Sequence, residues 1–413
     1  MFPSRERIHF SRLLQRTMRI LLLGTIIAAY SPSLYAGQGR YILGMNADLT
    51  AGGSGPEIAT PAGSPSASRY VAFYGTYPSL HFDARGERTT FASTYAFGFD
   101  KYTSEPGRET RSHAASAIFS TRFGPKWKLN LSDSFSMTSD ISTFRLLGGV
   151  ATSPDEFQYV FTPVFARSNQ SNTANLSMDH TINERSSLSV SGSYSTLFYP
   201  GGPVISGVLS DQRRISESVT YTHSGERNSW SVGYSGAQFI FSSFQNSRNH
   251  SGILGYSHKF SPVLSLRINV GPSYLETLES IDTPFGANAS VSLERTVQKG
   301  SFSLAFNQTS GDTSGLGSLS SYRHATIAMN RTFGRSTTVS ANISGFDSHG
   351  LQLDSSSARG VTAGGSLGVG IGRDWSMNFG GQYQHYEGYS NSGYGQNRIF
   401  VSLRYSKPDL WRF

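Results

Sequence analysis

Few residues of this sequence have the type and spacing for covalent chemistry. Six histidines, His113, His180, His223, His258, His324 and His385, occur one at a time in stretches of alternating polarity. A metal site needs several converging ligands, and a hydrolytic triad needs a base held between nucleophile and acid. Single spacing supports solvated or interfacial histidines instead. Gly364-Gly365-Ser366-Leu367-Gly368-Val369-Gly370 has the look of a phosphate-cradling loop. Such a loop must follow a strand and open a helix, whereas this run reads as the strand itself. Cysteine is absent, which excludes thiol catalysis and Cys-based zinc sites. The expectation is no enzyme, no cofactor and no metal.

Two groups of residues carry more. Arg122, Lys128, Lys259 and Arg404, with Arg267 further along its stretch, occupy alternate positions otherwise filled by small polar residues. On a wall that faces water such cations attract anions, although Asp179 and Glu294 share the parity and oppose them. The second group is the segment 141–165, where Phe144, Leu146, Leu147, Phe157, Tyr159, Val160 and Phe161 surround Asp155-Glu156. Loops this apolar rarely stand in water.

The elements that must position these residues are strands. The 413 residues are only 15% charged and 13% aromatic, with 44 Gly against 16 Pro. After the N-terminus no apolar run approaches the roughly 20 residues of a membrane helix. From residue 84 onward an alternating stretch ends in a tight turn, and the next ends in a longer polar loop. The tight turns are Arg85-Gly86-Glu87, Gly124-Pro125, Asn183-Glu184, Gly225 to Asn228, Ser261-Pro262, Lys299-Gly300, Gly334-Arg335 and Gly372 to Asp374. Between them Leu188, Val190, Tyr194 and Phe198 oppose a run of serines, and Leu264, Leu266, Ile268 and Val270 oppose Ser265, Arg267 and Asn269. Side chains alternate across a strand, so each stretch has one apolar and one small polar face.

A soluble sandwich could read similarly, but the large aromatics separate the two cases. Trp127, Trp230 and Trp375 follow tight turns on the apolar parity, and Phe123, Phe260 and Phe333 precede them. Rings at one height form a membrane-interface girdle, for which a sandwich core has no reason. With the tight turns in the periplasm, the last strand near Gly395 to Tyr405 runs downward. A strand from Tyr70 to Asp83, interrupted by Pro78, then needs an upward partner at Arg40 to Leu49, across a loop at 51–68. The total is an antiparallel up-and-down β-barrel of about eighteen strands, an even number, with sixteen as the fallback.

The end of the chain, Ile399-Phe400-Val401-Ser402-Leu403-Arg404-Tyr405 with terminal Phe413, resembles bacterial outer-membrane porin-type barrels. The resemblance implies that this strand is read by the barrel-insertion machinery. It also implies that the third outer loop, 141–165, folds into the lumen, a cap or oligomer contact being equally open. Phe413, Trp411, Tyr405, Leu403, Val401 and Ile399 keep one parity, whereas Asp409, Lys407 and Pro408 break it, so the strand is expected to stop at Tyr405.

Before the barrel, Ile20 to Ala29 form a short apolar core behind basic residues, followed by Ser31 to Ala36. This is a secretory signal with cleavage near Ala36, starting at Met1 or Met18. Removing it leaves 30 basic and 26 acidic residues with no basic tract, which gives no support for nucleic-acid binding. The expected partners are outer-membrane lipid and small solutes or polysaccharide, and the expected function is a diffusion pore or substrate channel. The alternative is an accessory barrel of an envelope or exopolysaccharide-export system with an obstructed lumen. Tyr386, Tyr389 and Tyr394 near the last loop would then serve sugar stacking.

Overall fold

Alternating apolar and hydroxyl-bearing residues favour extended backbone, and the turn residues between them set where each strand reverses. In the computed structural model the described residues are 40–55, 71–103, 109–138, 169–200, 211–242, 246–277, 285–312, 319–350, 357–388 and 392–412. They form β1 (Arg40–Ser54), β2 (Val71–Arg85), β3 (Thr89–Tyr102), β4 (Glu109–Phe123), β5 (Trp127–Thr138), β6 (Asn169–Asn183), β7 (Ser186–Phe198), β8 (Gln212–Ser224) and β9 (Asn228–Phe241). The second half comprises β10 (Ser247–Ser261), β11 (Leu264–Thr277), β12 (Phe285–Val297), β13 (Gly300–Asp312), β14 (Leu319–Phe333), β15 (Thr337–Gly350), β16 (Ser357–Gly370), β17 (Trp375–Gly388) and β18 (Ser392–Arg412).

Each strand pairs antiparallel with the next, and β18 pairs with β1, so the sheet closes on itself as an eighteen-stranded barrel. All eight expected tight turns connect strands, with two to four residues between strand ends. Gly124 and Gly334 adopt φ of 72° and 61° there, a left-handed conformation that side chains resist. Residues directly opposite one another share a face, and the apolar parity survives the whole circuit: Leu49 is opposite Leu403, and Ala51 opposite Val401. Phe123, Trp127, Trp230, Phe260, Phe333 and Trp375 all stand on that face beside short turns, 41–59% exposed. The apolar face points outward, the reverse of a soluble protein.

Three details depart from the sequence reading. The first strand extends beyond Leu49 to Ser54. The last does not stop at Tyr405 but continues to Arg412, and Trp411 pairs with Leu43. A register shift between Leu43 and Met45 absorbs the Pro408 break, because a bulge accommodates extra residues without losing the face. Trp411 therefore remains on the exposed side. Tyr386 of β17 and Tyr394 of β18 are register partners within the strands rather than loop residues. Pro78 is inside β2 and aligned with Ala47 of β1, while the ladder to β3 skips Tyr77 and Pro78. Proline has no N–H to donate, so the missing rungs fall where it sits. The leader expected over 1–36, the loop at 141–165 with Asp155 and Glu156, Tyr389 and Phe413 lie outside the described residues.

The closing seam is reinforced from inside. Arg398 of β18, 3% exposed, reaches past β1 and β2 to Asp100 of β3, 0% exposed, at 3.4 Å. Its guanidinium lies 3.8 Å from the centre of the Phe73 ring on β2, and the Tyr77 hydroxyl donates to Asp100. Gly98 leaves room for the Tyr77 ring, since a Cβ there would come within 2.9 Å of it. Removing one partner of a buried pair typically costs about 3–5 kcal/mol, because the other charge stays desolvated. Arg398→Met should therefore lower the temperature at which the barrel loses its compact, folded gel mobility. Arg398→Met with Asp100→Leu should recover much of the loss.

Candidate functional site

The inner wall is where this fold presents polar side chains, because the outer parity is taken by apolar ones. Its hydroxyls and amides are bonded across strands: Ser136 to Ser171 at 2.6 Å, Ser191 to Ser218 at 2.7 Å, Ser229 to Ser257 at 2.7 Å and Ser340 to Ser366 at 2.6 Å. Asp179 is a hub on this wall, accepting from Ser189 at 2.7 Å and Asn130 at 3.2 Å.

The basic residues all lie at inward positions, grouped in three stations. Arg122 and Lys128 are directly opposite on β4 and β5, and Lys128 is opposite Asp179 on its other side. Lys259 and Arg267 lie on β10 and β11, with Lys259 opposite Ser265, Arg267 opposite Ser257, and Ser265 in turn opposite Glu294. Arg404 differs from the rest. It donates from Nε and Nη2 to the Asp48 carboxylate at 2.7 and 2.9 Å, a two-pronged ion pair across the β1–β18 seam. Its charge is matched locally, so it is a weaker source of anion attraction than parity implied. Sequence reasoning missed Asp48, whose partner is 356 residues away.

The histidines have local partners. On the outer face near the short turns, His180 lies 4.0 Å from the Trp127 ring, His223 5.5 Å from Trp230 and His258 4.5 Å from Phe260. Each therefore packs beside a large ring at a short turn. His324, on the inward side, meets Thr326. Among the described residues no three His, Cys, Asp or Glu side chains converge for a metal. Within the glycine-rich run, Gly364, Ser366 and Gly368 spell the Gly-x-Ser-x-Gly pattern of a hydrolase elbow, a pattern that sequence reasoning counted as absent. They stand mid-strand on β16, with Ser366 bonded to Ser340, whereas an elbow needs a sharp strand-to-helix turn.

Toward the loop end the outer face is collared by charge. Arg359 pairs with Glu387 on the neighbouring strand, and Lys101 and Arg111 both approach Glu109. Between this collar and the aromatic belt the outward positions are mainly apolar. Asp133, bonded by Asn172 at 3.0 Å, and Glu217 are carboxylates within that band. Inside, a recess of about 520 Å³ runs along the wall of β6 to β10 and beyond, bounded by serines, asparagines and Arg214.

No protein family and no curated protein matches the sequence. Among solved structures, Acinetobacter baumannii OccAB4 is similar over 90% of this chain and 98% of its own, at 9% identity and a TM-score of 0.45. Pseudomonas aeruginosa OccK9 (OpdG) is similar over 88% and 98%, at 11% identity and a TM-score of 0.49. Pseudomonas aeruginosa OccK2 (OpdF), solved in complex with glucuronate, is similar over 88% and 98%, at 12% identity and a TM-score of 0.45.

Proposed function

We propose that this chain is a diffusion pore or substrate channel of a Gram-negative outer membrane, reached after secretion with signal cleavage near Ala36. The observation that carries this reading is a closed eighteen-stranded barrel with an apolar outer wall and a hydroxyl-rich inner one. A barrel of about sixteen to eighteen strands is wide enough to leave an aqueous lumen. The outer wall fits lipid: an aromatic belt at the short-turn end, an apolar band, then a charged collar. Asp133 and Glu217 are the exceptions within the band. Carboxylates there cost less than lysine or arginine would.

The belt predicts how the protein sits. Trp127, Trp230, Trp375 and Trp411 should be quenched mainly by lipids carrying quenchers near the interface. Dominant quenching from the bilayer centre would contradict the strand directions.

The pore predicts steady ionic conductance from the purified barrel in planar bilayers, whereas an accessory barrel with a blocked lumen would give none. We also propose that Arg122, Lys128, Lys259 and Arg267 line the ion path, with Asp155 and Glu156 contributing if residues 141–165 enter it. Deleting 141–165 should then raise conductance; an unchanged value would place that segment outside the path.

The signs of the charge changes follow from the pairing. Arg122→Gln with Lys128→Gln and Lys259→Gln should shift the reversal potential toward cation preference. The shift should be larger at low salt, since the Debye length is about 10 Å at 0.1 M. Arg404→Gln should shift it the same way by exposing Asp48, and Asp48→Asn the opposite way. An unmoved potential in all of these would remove the cations from the path.

A further inference from the structure

One hydrogen-bonding row of the inner wall is occupied by hydroxyls strand after strand. Ser177 of β6 is opposite Ser191 of β7, which is opposite Ser218 of β8 and then Ser235 of β9. The row continues through Ser251 of β10 to Ser273 of β11. In the other direction it passes to Asn130, Ser120 and Thr90 on β5, β4 and β3. Nine successive strands thus carry a hydroxyl or amide at the same level of the ladder. Because barrel strands tilt, a row perpendicular to them climbs the wall. It starts at Thr90, the second residue of β3 after a short turn, and reaches Ser273 near the loop end of β11.

We infer that this row is a stepped binding track for uncharged polyhydroxylated solutes, sugars and polyols, with its main site in the 520 Å³ recess beside Ser191 and Ser218. The inference rests on the pore reading and names the solute class that the pore passes.

The chemistry is that of hydroxyl pairs. A serine hydroxyl has one proton and two lone pairs. In the Ser191–Ser218 and Ser193–Ser216 pairs one proton is used between the partners. Each pair therefore keeps one proton and further lone pairs for a ligand. A sugar offers the same mixture of donor and acceptor at each hydroxyl, so it matches such pairs in either sense. Neighbouring steps are about 4.8 Å apart, the strand spacing, which is close to the separation of alternate hydroxyls on a sugar ring. An apolar solute would leave the hydroxyls unpaired.

Repetition suits conduction, which requires sites favourable enough to enter and weak enough to leave. A solute can exchange bonds from one step to the next without losing all of them at once. Along the track Thr90 is exposed, the steps from Ser120 to Ser235 are half-buried, and Ser251 and Ser273 are buried. Arg214 is the one cation bordering the recess among the described residues. It stands 5.3 Å from the Phe239 ring, and its Nε has no partner among the described residues. It can donate to a ring or hydroxyl oxygen.

Binding and conduction can be read separately on the full-length barrel. Equilibrium dialysis of labelled maltotriose against the detergent-folded protein should show saturable binding, and maltotriose should reduce ion current more than polyethylene glycol of matched size. The variant carrying Ser191→Ala, Ser193→Ala, Ser216→Ala and Ser218→Ala should bind at least about tenfold more weakly with its ionic conductance intact. The corresponding Ser→Thr variant, which keeps the hydroxyls, should retain binding. Sugar binding without ionic conductance would overturn the pore reading and keep the site. Conductance with no sugar binding, or equal binding by the alanine variant, would overturn the site. A preference for gluconate over glucose that disappears in Arg214→Gln would also overturn it, by assigning the recess to anions.

Discussion

A β-sheet ends in two edges whose peptide groups stay unpaired unless something covers them. In this protein the cover is the sheet itself, through the pairing of β18 with β1. Within hydrocarbon every peptide group must be satisfied inside the protein, so this contact decides whether the chain can cross a membrane at all. It also fixes the other faces. A register slip of one residue would turn every side chain of a strand to the wrong side. The circuit returns to β1 with Leu49 opposite Leu403; the register shifts beside the turns at Asn183 and Ser261 and near Pro408 leave the parity of the strand bodies intact.

The details at the seam follow from that demand. Two ion pairs, Arg404 with Asp48 and Arg398 with Asp100, bind β18 to the first three strands, and both lie on the inner wall. The bulge near Pro408 lets β18 continue to Arg412 without exchanging its faces. Elsewhere closure leaves a simple division of labour. Outward positions hold mainly apolar rings and branched chains, and inward positions mainly serine, threonine and asparagine, joined by buried inward rings and chains such as Phe73, Leu197, Phe239, Leu275 and Phe346. Asp133 and Glu217 depart from this division, and their outward placement among small residues such as Gly192 and Gly236 has no account in the fold itself.

Most of the architecture was legible in the sequence because it is local. Turn residues mark the eight tight reversals, and alternation marks the faces between them. Parity also placed Arg122, Lys128, Lys259 and Arg267 on one side of their strands. Pairings across the seam were not legible, because Arg404 meets Asp48 only through a register between strands at opposite ends of the chain. The same applies to Arg398 and Asp100, and to the serine row, which exists only once the eight registers linking its nine strands are known. The end of β18 was misjudged for a different reason: Pro408 and Asp409 interrupt the alternation, and alternation alone does not reveal a bulge that restores it. Ser366 shows that pattern alone does not make a site: a catalytic spelling stands on residues whose backbone is simply a strand.

Closure of the sheet can be tested by cross-linking, since the chain has no cysteine of its own. Ala47 and Tyr405 are direct partners across the seam. Opposed residues on antiparallel strands have Cα atoms about 4.5–5.5 Å apart, within the span of a disulfide. Ala47→Cys with Tyr405→Cys in the folded protein should oxidise to a covalently closed loop, seen as a mobility change on denatured, non-reduced gels. Ala47→Cys with Val401→Cys, four residues out of register, should not. An open sheet, or a seam in another register, would leave the first pair reduced or link the second, and the eighteen-stranded closure would be contradicted.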